Sequence, residues 1–419
     1  MELKIAVVGL GYVGLPLAVA LSRSYQVVGY DISEHRVREL KEGHDRTNEI
    51  EETVLKKSSL QVSTDANVMM EADVFIVTVP TPVDTYNQPD LEPLRAASLV
   101  IGEFISKGSI VVFESTVYPG VTEDFCGPIL ASVSGLKVGK DFFLGYSPER
   151  INPGDKVHTV EKITKVVAAQ TPDVAQKLAQ IYGKMNNNNV FIAKTIKAAE
   201  AAKVIENTQR DINIAFMNEI SLIFAKMNIS IYDVLDAAST KWNFLKFNPG
   251  LVGGHCIGVD PYYLAKASKS LGHNPQIILA GREINESMAN ELADLITQRV
   301  GKPLRLLMLG LTFKENVPDL RNTKVVDLIS ALKKRGHVVD VHDCCADPEE
   351  AKRFFNYDLV PVLTVNEAYD GIVGAVPHDA YCQFSNADFQ RFLKPQGWIF
   401  DLKAIWRTHP PAGFNYWTL

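Results

Sequence analysis

Short apolar runs alternate along the chain with stretches whose apolar residues recur at helical spacing. Lys4–Val8 is an apolar run of strand length, and Val13–Arg23 follows with its apolar positions on a helical repeat. Val27–Tyr30 predicts a second strand. Ala72–Val79 and Ser109–Phe113 are further β-branched runs, each closed by Pro, Ser or Thr, and Phe142–Tyr146 predicts one more strand before a loop. Strands separated by helices imply parallel β–α–β units with right-handed crossovers.

The pattern changes at Asn186–Asn189, a polar run that reads as a surface turn. From Thr195 to Met227 there is neither proline nor glycine, which predicts one helix on the order of 50 Å long. Apolar residues on more than one side of it predict a connector that also forms a homodimer interface. A second α/β pattern starts at Arg305: a strand Leu306–Leu309 ending at Gly310, a helix Thr323–Lys334, a strand Val338–Val341 and then Asp343. This echoes the N-terminal order of strand, glycine turn, helix, strand and acidic residue, without the full glycine fingerprint. The expected fold class is α/β, two Rossmann-like domains joined by a long central helix, divided at 1–190, 191–300 and 301–419.

Composition changes this picture little. Of 419 residues, 46% are hydrophobic and 22% charged, which is enough apolar material for several cores and unlike a disordered chain. The formal net charge of -6 and the lack of a long basic run argue against a nucleic-acid partner, while leaving room for a local basic pocket. No run reaches the roughly 18 apolar residues of a membrane span. The N-terminus leads directly into a strand without a basic signal region, so a cytoplasmic location off the membrane is expected. The five cysteines, Cys126, Cys256, Cys344, Cys345 and Cys382, show no Cys-x-x-Cys spacing. Neither a disulfide framework nor a zinc ribbon is expected, and no metal.

Candidate chemistry begins at Gly9-Leu10-Gly11-Tyr12-Val13-Gly14. The G-x-G-x-x-G spacing is weak alone, but here it follows a strand and opens a helix, with Asp31 closing the next strand about 20 residues on. Gly9 permits a tight turn, Gly11 lets the backbone approach a pyrophosphate, and Gly14 lets helix and sheet pack closely. The helix N-terminus offers free N–H groups to phosphates. Asp31 can accept ribose hydroxyls and would repel a 2′-phosphate, so NAD is the expected cofactor. Pro80 and Thr81, in Val79–Pro82, and Thr116 follow later strands at the sheet edge where ligands gather.

Phe247 to Pro261 is the most informative segment. Four glycines between Gly250 and Gly258 hold Cys256 on a loop whose backbone can approach a ligand closely. Beside a nicotinamide site, that cysteine reads as a nucleophile, which requires a lowered pKa. Adjacent His255 is a poor partner base, because neighbouring side chains seldom point the same way. Lys203 and Asn207 lie four apart on the long helix, so they share a face. They either stabilise an oxyanion at a reacting carbonyl or belong to a solvated helix face. Glu149, in Ser147-Pro148-Glu149-Arg150, is either an acid–base group or a surface charge.

Taken with Glu114–Gly120, Tyr146–Gly154, Ala198–Asn207, Gly253–Asp260, Gly310–Lys314 and Arg321, these segments give the chain its likeness. It resembles the UDP-glucose/GDP-mannose dehydrogenase family along essentially its whole length. Arg150 after Glu149, and Gly254-His255-Cys256-Ile257-Gly258, make it most similar to the branch acting on UDP-N-acetylglucosamine or UDP-N-acetylgalactosamine.

The resemblance implies an NAD domain, a helical dimerisation region with the catalytic cysteine, and a C-terminal UDP-binding domain. It implies a four-electron oxidation of the sugar C6 hydroxyl to a uronic acid for surface polysaccharide, through a thiohemiacetal and thioester on Cys256. Lys203 and Asn207 would then stabilise the oxyanion, and Asp260 would orient water or Lys203. Glu149 would serve thioester hydrolysis, with Thr116 holding the water. Tyr12, Val13 and Arg36 join the cofactor set, with Arg321 on its pyrophosphate. Arg150, Phe247, Gly253 and Lys314 join Glu149, Lys203 and Asn207 on the substrate side. Lys403 stands where relatives often carry an arginine that grips the nucleotide. The acid and base roles of Glu149, Lys203 and Asp260, and the C4 configuration of the sugar, stay open. So do a UDP-glucose or GDP-mannose substrate, a two-electron hydroxyacid dehydrogenase, and a nucleotide-binding protein without turnover.

Overall fold

A strand covered on both faces reads as a continuous apolar run, because neither side meets water. Such runs build the first sheet. Its strands are β1 (Lys4–Val8), β2 (Gln26–Tyr30), β3 (Gln61–Ser63), β4 (Val74–Val77), β5 (Ile110–Phe113), β6 (Phe143–Tyr146), β7 (Lys165–Ala169) and β8 (Val190–Ile192). The computed structural model describes residues 3–84, 88–151, 155, 157–254, 257–361, 363 and 368–419. The strand order is β3-β2-β1-β4-β5-β6-β7-β8. Every neighbouring pair is parallel except β6 and β7, which run antiparallel. Alternate residues feed two separate cores: Phe75 and Val77 face one, Val74 and Ile76 the other.

The second sheet contains β9 (Arg305–Leu309), β10 (Val338–His342), β11 (Tyr369–Gly374), β12 (Leu393–Asp401) and β13 (Asn415–Thr418), in the order β10-β9-β11-β12-β13. All of its pairs are parallel. The chain packs as two compact units, residues up to Asn207 with Tyr262–Asn274, and Thr208–Pro261 with Pro275–Leu419. The division falls within the helix Ile196–Lys226, whose 31 residues match the long helix expected from the sequence. Among the described residues, no helix is long and apolar enough to cross a membrane.

The echo between the two α/β patterns extends to atomic detail. Gly9 and Gly310 both turn the chain at positive φ, 94° and 97°. Gly9 N donates to Tyr30 O at 2.8 Å, and Gly310 N to His342 O at 2.9 Å. Leu10 N donates to Asp31 Oδ2 at 2.8 Å, and Leu311 N to Asp343 Oδ2 at 2.5 Å. The copies then diverge. The first turn opens the helix Gly14–Ser22 at once, whereas the second is followed by a loop that delays its helix to Val325–Lys334.

Gly310 has no freedom to change. An added Cβ would lie 2.4 Å from Val376 Cβ and 2.8 Å from its backbone N, at a φ that side chains avoid. Gly310→Ala is expected to cost about 2–4 kcal/mol. Urea unfolding would show this as a lower midpoint, and an unchanged midpoint would contradict it.

Candidate active site

The first glycine loop is built around Gly14. A Cβ there would sit 1.8 Å from Gly9 O and 2.4 Å from Thr78 Oγ1, so loop and helix touch backbone to backbone. Thr78 Oγ1 donates to Gly9 O at 2.7 Å and fixes the turn from the end of β4. Gly11 differs, because a Cβ there would meet nothing within 4 Å. The protein's own packing does not demand that glycine, whereas close approach of a pyrophosphate does. No side chain caps the helix Gly14–Ser22, which keeps its first N–H groups for an anion. Asp31 accepts from Leu10 N at 2.8 Å and Ser33 N at 2.9 Å. A carboxylate has about four acceptor sites, so capacity for ribose hydroxyls remains. Tyr12, Val13 and Thr81 are half-buried at this edge, and Pro80 is exposed. These features fit NAD.

Arg36, expected among the cofactor residues, lies beneath the glycine loop, its Nη2 buried without a hydrogen-bond partner among the described residues. Its side chain is buried, with Nε donating to Leu10 O at 2.7 Å and Nη1 pairing with Asp45 at 2.9 Å and with Glu39. It braces the glycine loop from within the fold.

A buried ion cluster stands at the carboxyl edge of β5 and β6. Lys165 Nζ lies 2.6 Å from Glu114 Oε2 and 3.4 Å from Glu149 Oε2, and Tyr182 donates to Glu114 Oε1 at 2.5 Å. Lys165 reaches this edge because β7 runs antiparallel to β6, with Tyr146 opposite Ala168. Burial pushes the Glu114 carboxyl up to about 7, against the pull of Lys165. The Lys165 ammonium is itself disfavoured by burial, but Glu114 and Glu149 outweigh this and hold it above its ordinary value. Glu149 is therefore no surface charge. Its Oε1 accepts the N–H groups of Arg150, at 2.7 Å, and Ile151. Arg150 pairs with Glu206 at 2.9 Å and donates to Thr164 O at 3.2 Å. Thr116, three residues beyond the end of β5, is half-buried.

Lys203 and Asn207 are 7% and 5% exposed, which removes the alternative of a solvated helix face. One turn earlier, Glu200 accepts Gly120 N at 2.6 Å and Thr122 N at 2.9 Å, tying the helix to the loop after Thr116. Asp260, 2% exposed, begins the helix Asp260–Ser270. His255 and Cys256 lie outside the described residues.

In the second unit, Gly253, Lys314 and Lys403 line one pocket together with Leu251, Phe313 and Glu315. The sequence placed Gly253, Lys314 and Lys403 on the substrate, and the fold brings them together across 150 positions of chain. Burial lowers the Lys403 ammonium, and Glu315 opposes this. Phe247 packs partly against the adjoining core. Arg321 spends its fork on Asp319, with Nε–Oδ1 3.0 Å and Nη2–Oδ2 2.8 Å.

Three of the glycines of this segment also stand close against other parts of the chain. A Cβ at Gly250 would sit 2.4 Å from Lys403 Nζ, at Gly253 2.7 Å from Asn322 O, and at Gly254 2.8 Å from the Phe313 ring. Gly254 N donates to Asn322 O at 3.1 Å and Asn322 Nδ2 returns to Gly254 O at 2.7 Å, which clasps the segment just before the cysteine.

Sequence reasoning missed Lys165, Tyr182 and Thr78. The available signal was a lysine opening the apolar run Lys165–Ala169, where a charge needs a buried partner.

The chain matches the UDP-glucose/GDP-mannose dehydrogenase family in three parts: its NAD binding domain over residues 3–186, its central domain over 197–287 and its UDP binding domain over 307–408. It is 52% identical over 411 residues to Protein CapL of Staphylococcus aureus, covering 97% of this chain and 96% of the relative. It is 49% identical over 412 residues to the UDP-N-acetyl-D-glucosamine 6-dehydrogenase of Pseudomonas aeruginosa, covering 96% and 97%. Among solved structures, the UDP-D-ManNAc dehydrogenase of Pyrococcus horikoshii superposes with a TM-score of 0.88 at 28% identity, covering 99% of each chain.

Removing the buried cation should expose the cost of its partners. Lys165→Met is expected to lose about 3–5 kcal/mol, because two carboxyls stay buried without a counter-charge. Folding raises the Glu114 pKa, so its favourable contribution is fully present below about pH 4.5 and is lost as pH climbs through 7. Without Lys165 that decline should steepen, as read by urea unfolding at pH 5 and pH 8. Equal losses at both pH values would contradict the assignment.

Proposed function

This chain belongs to the UDP-glucose/GDP-mannose dehydrogenase family, and from that premise we propose that it oxidises the C6 hydroxyl of a UDP-N-acetylhexosamine to the carboxylate. It is an NAD-dependent oxidoreductase. The observation that carries the choice of sugar is the near-50% identity, along almost the whole chain, to a UDP-N-acetyl-D-glucosamine 6-dehydrogenase. The product is a uronic acid for surface polysaccharide, made in the cytoplasm. The three matched parts support domains at 1–190, 191–300 and 301–419.

Gly9–Gly14 and Asp31 would hold NAD, which would supply the hydride acceptor for both oxidations by which one alcohol and one water become a carboxylate. Cys256 is assigned as the nucleophile. Its sulfur adds to the C6 aldehyde and gives the tetrahedral alkoxide that an aldehyde lacks, and the second oxidation leaves a thioester for water to cleave. Lys203 and Asn207 are assigned to the oxyanion at C6, where a buried cation and amide act with little screening by water. Glu149 is assigned to the hydrolytic proton transfer, with Thr116 holding the water and Asp260 orienting water or Lys203. The Lys165–Glu114 pair supports this reading of Glu149, since it holds the carboxyl in place. In the second unit, Lys314 and Lys403 suit the negative nucleotide, with Arg150, Phe247 and Gly253 on the substrate as well. Arg321 is assigned to the cofactor pyrophosphate, a contact that requires it to leave Asp319.

A homodimer through the helix Ile196–Lys226 belongs to the same reading. Ile205, Phe216 and Ile223 stand 46–57% exposed. Their spacings of 11 and 7 residues place them within a narrow arc of one helical face.

Purified protein should release two NADH per UDP-N-acetylglucosamine or UDP-N-acetylgalactosamine. Far lower kcat/KM is expected with UDP-glucose, UDP-N-acetylmannosamine or GDP-mannose. One NADH per sugar, or a preference for UDP-glucose, would sink the proposal. Cys256→Ser should lose net acid formation by at least about 10³-fold while still binding NAD. Phe216→Asp with Ile223→Asp should yield monomers by light scattering, and an intact dimer would place the interface elsewhere.

A further inference from the structure

We propose that Cys344, Cys345 and His378 form a site for a borderline-soft divalent cation of the Zn²⁺ class, with Asp343 orienting the imidazole. The site stands in the second unit where β10 ends, and its third donor lies 33 residues beyond Cys345. No sequence spacing announces it.

The distances suit such an ion. Tetrahedral Zn²⁺, with Zn–S of about 2.3 Å and Zn–N of about 2.0 Å, has S···S edges of about 3.8 Å and S···N edges of about 3.5 Å. The two thiols stand 3.7 Å apart, and Cys345 Sγ is 3.5 Å from His378 Nδ1. The donor atoms of Asp343, Cys344, Cys345 and His378 all fall within 4.8 Å of one another.

The imidazole is prepared in the required form. Asn316 N donates to His378 Nδ1 at 3.0 Å, so that nitrogen carries a lone pair and Nε2 carries the proton. Nε2 faces Asp343 Oδ2 at 3.2 Å, and Asp343 is held in turn by the N–H groups of Leu311, Thr312, Cys345 and Ala346. A ligand histidine whose other nitrogen donates to a carboxylate is the usual support of a metal centre. The cation would take the lone pair from the Asn316 N–H, so binding requires that amide to turn away from His378. Cys344 is exposed and gives the ion a way in. Three protein donors leave a fourth position for water.

Binding converts two thiols to thiolates and releases two protons for each cation bound. The groups facing the thiols are Asp343, Asp379, His378 and Tyr381. Burial pushes the Cys345 thiol up to about 12, the neighbouring Cys344 and the two aspartates adding to this. Affinity should therefore rise with pH, on the order of 100-fold per unit.

Co²⁺ serves as the probe, added to reduced, chelator-stripped full-length protein. One equivalent per chain should produce a thiolate-to-cobalt charge-transfer band with tetrahedral visible bands, and Zn²⁺ should bleach them. The bands should vanish in the Cys344→Ser/Cys345→Ser variant, with circular dichroism unchanged. They should persist in Cys256→Ser, which separates this site from the catalytic thiol. Cys344→Ser alone, at an exposed position, should weaken binding at least about 10-fold and guards against a folding defect in the double variant. Bands absent at one equivalent, surviving the double variant, or lost in Cys256→Ser would overturn the proposal. The readout is metal binding, so it is independent of the catalytic assignment.

Discussion

At the carboxyl edge of a parallel sheet the chain must turn sharply, and the N–H groups in the turn lose their strand partners. This protein meets that constraint twice in the same way. A glycine at positive φ makes the turn, and an aspartate closing the neighbouring strand accepts the orphaned N–H groups: Asp31 for Leu10, and Asp343 for Leu311 and Thr312. An unsatisfied buried N–H costs about as much as a lost hydrogen bond, so each carboxylate sets the loop that a ligand meets. The cofactor loop, the loop bearing Lys314 and the Cys344–His378 cluster all hang from these two turns.

The two copies then serve different ends. After Gly9, two further glycines admit a pyrophosphate and a helix. After Gly310 the chain spends fourteen residues, ending at Lys324, before its helix starts. That longer loop supplies Phe313 and Lys314 to the pocket and Asn322 to the segment leading to Cys256. One backbone device thus supports two kinds of site, because the residues after the turn, and not the turn itself, select the ligand.

The buried charges follow another rule. Glu114, Glu149 and Lys165 are tolerated together because the one buried ammonium answers both carboxyls, and removal of the lysine strands the two of them. Their meeting depends on strand direction: had β7 been parallel to β6, its first residue would lie at the opposite edge. A similar dependence on topology governs Lys403, whose ammonium lies against Gly250, where an added Cβ would make it shift.

The local pattern of the chain was enough to determine the strands β1, β2, β4, β5, β6, β9 and β10, the long helix, and the NAD loop with Asp31. These depend on periodicity and on glycine's freedom at positive φ, which are properties of neighbours in sequence. The short strands β3 and β8 gave no such signal, and β7 hid behind a lysine. The buried Arg36, the Glu114–Lys165–Glu149 cluster and the clasp of Gly253 and Gly254 on the 313–324 segment were decided by tertiary structure alone. Each is an agreement between residues far apart in the chain, and burial, which gives a charge or a missing side chain its meaning, exists only once the sheets have formed.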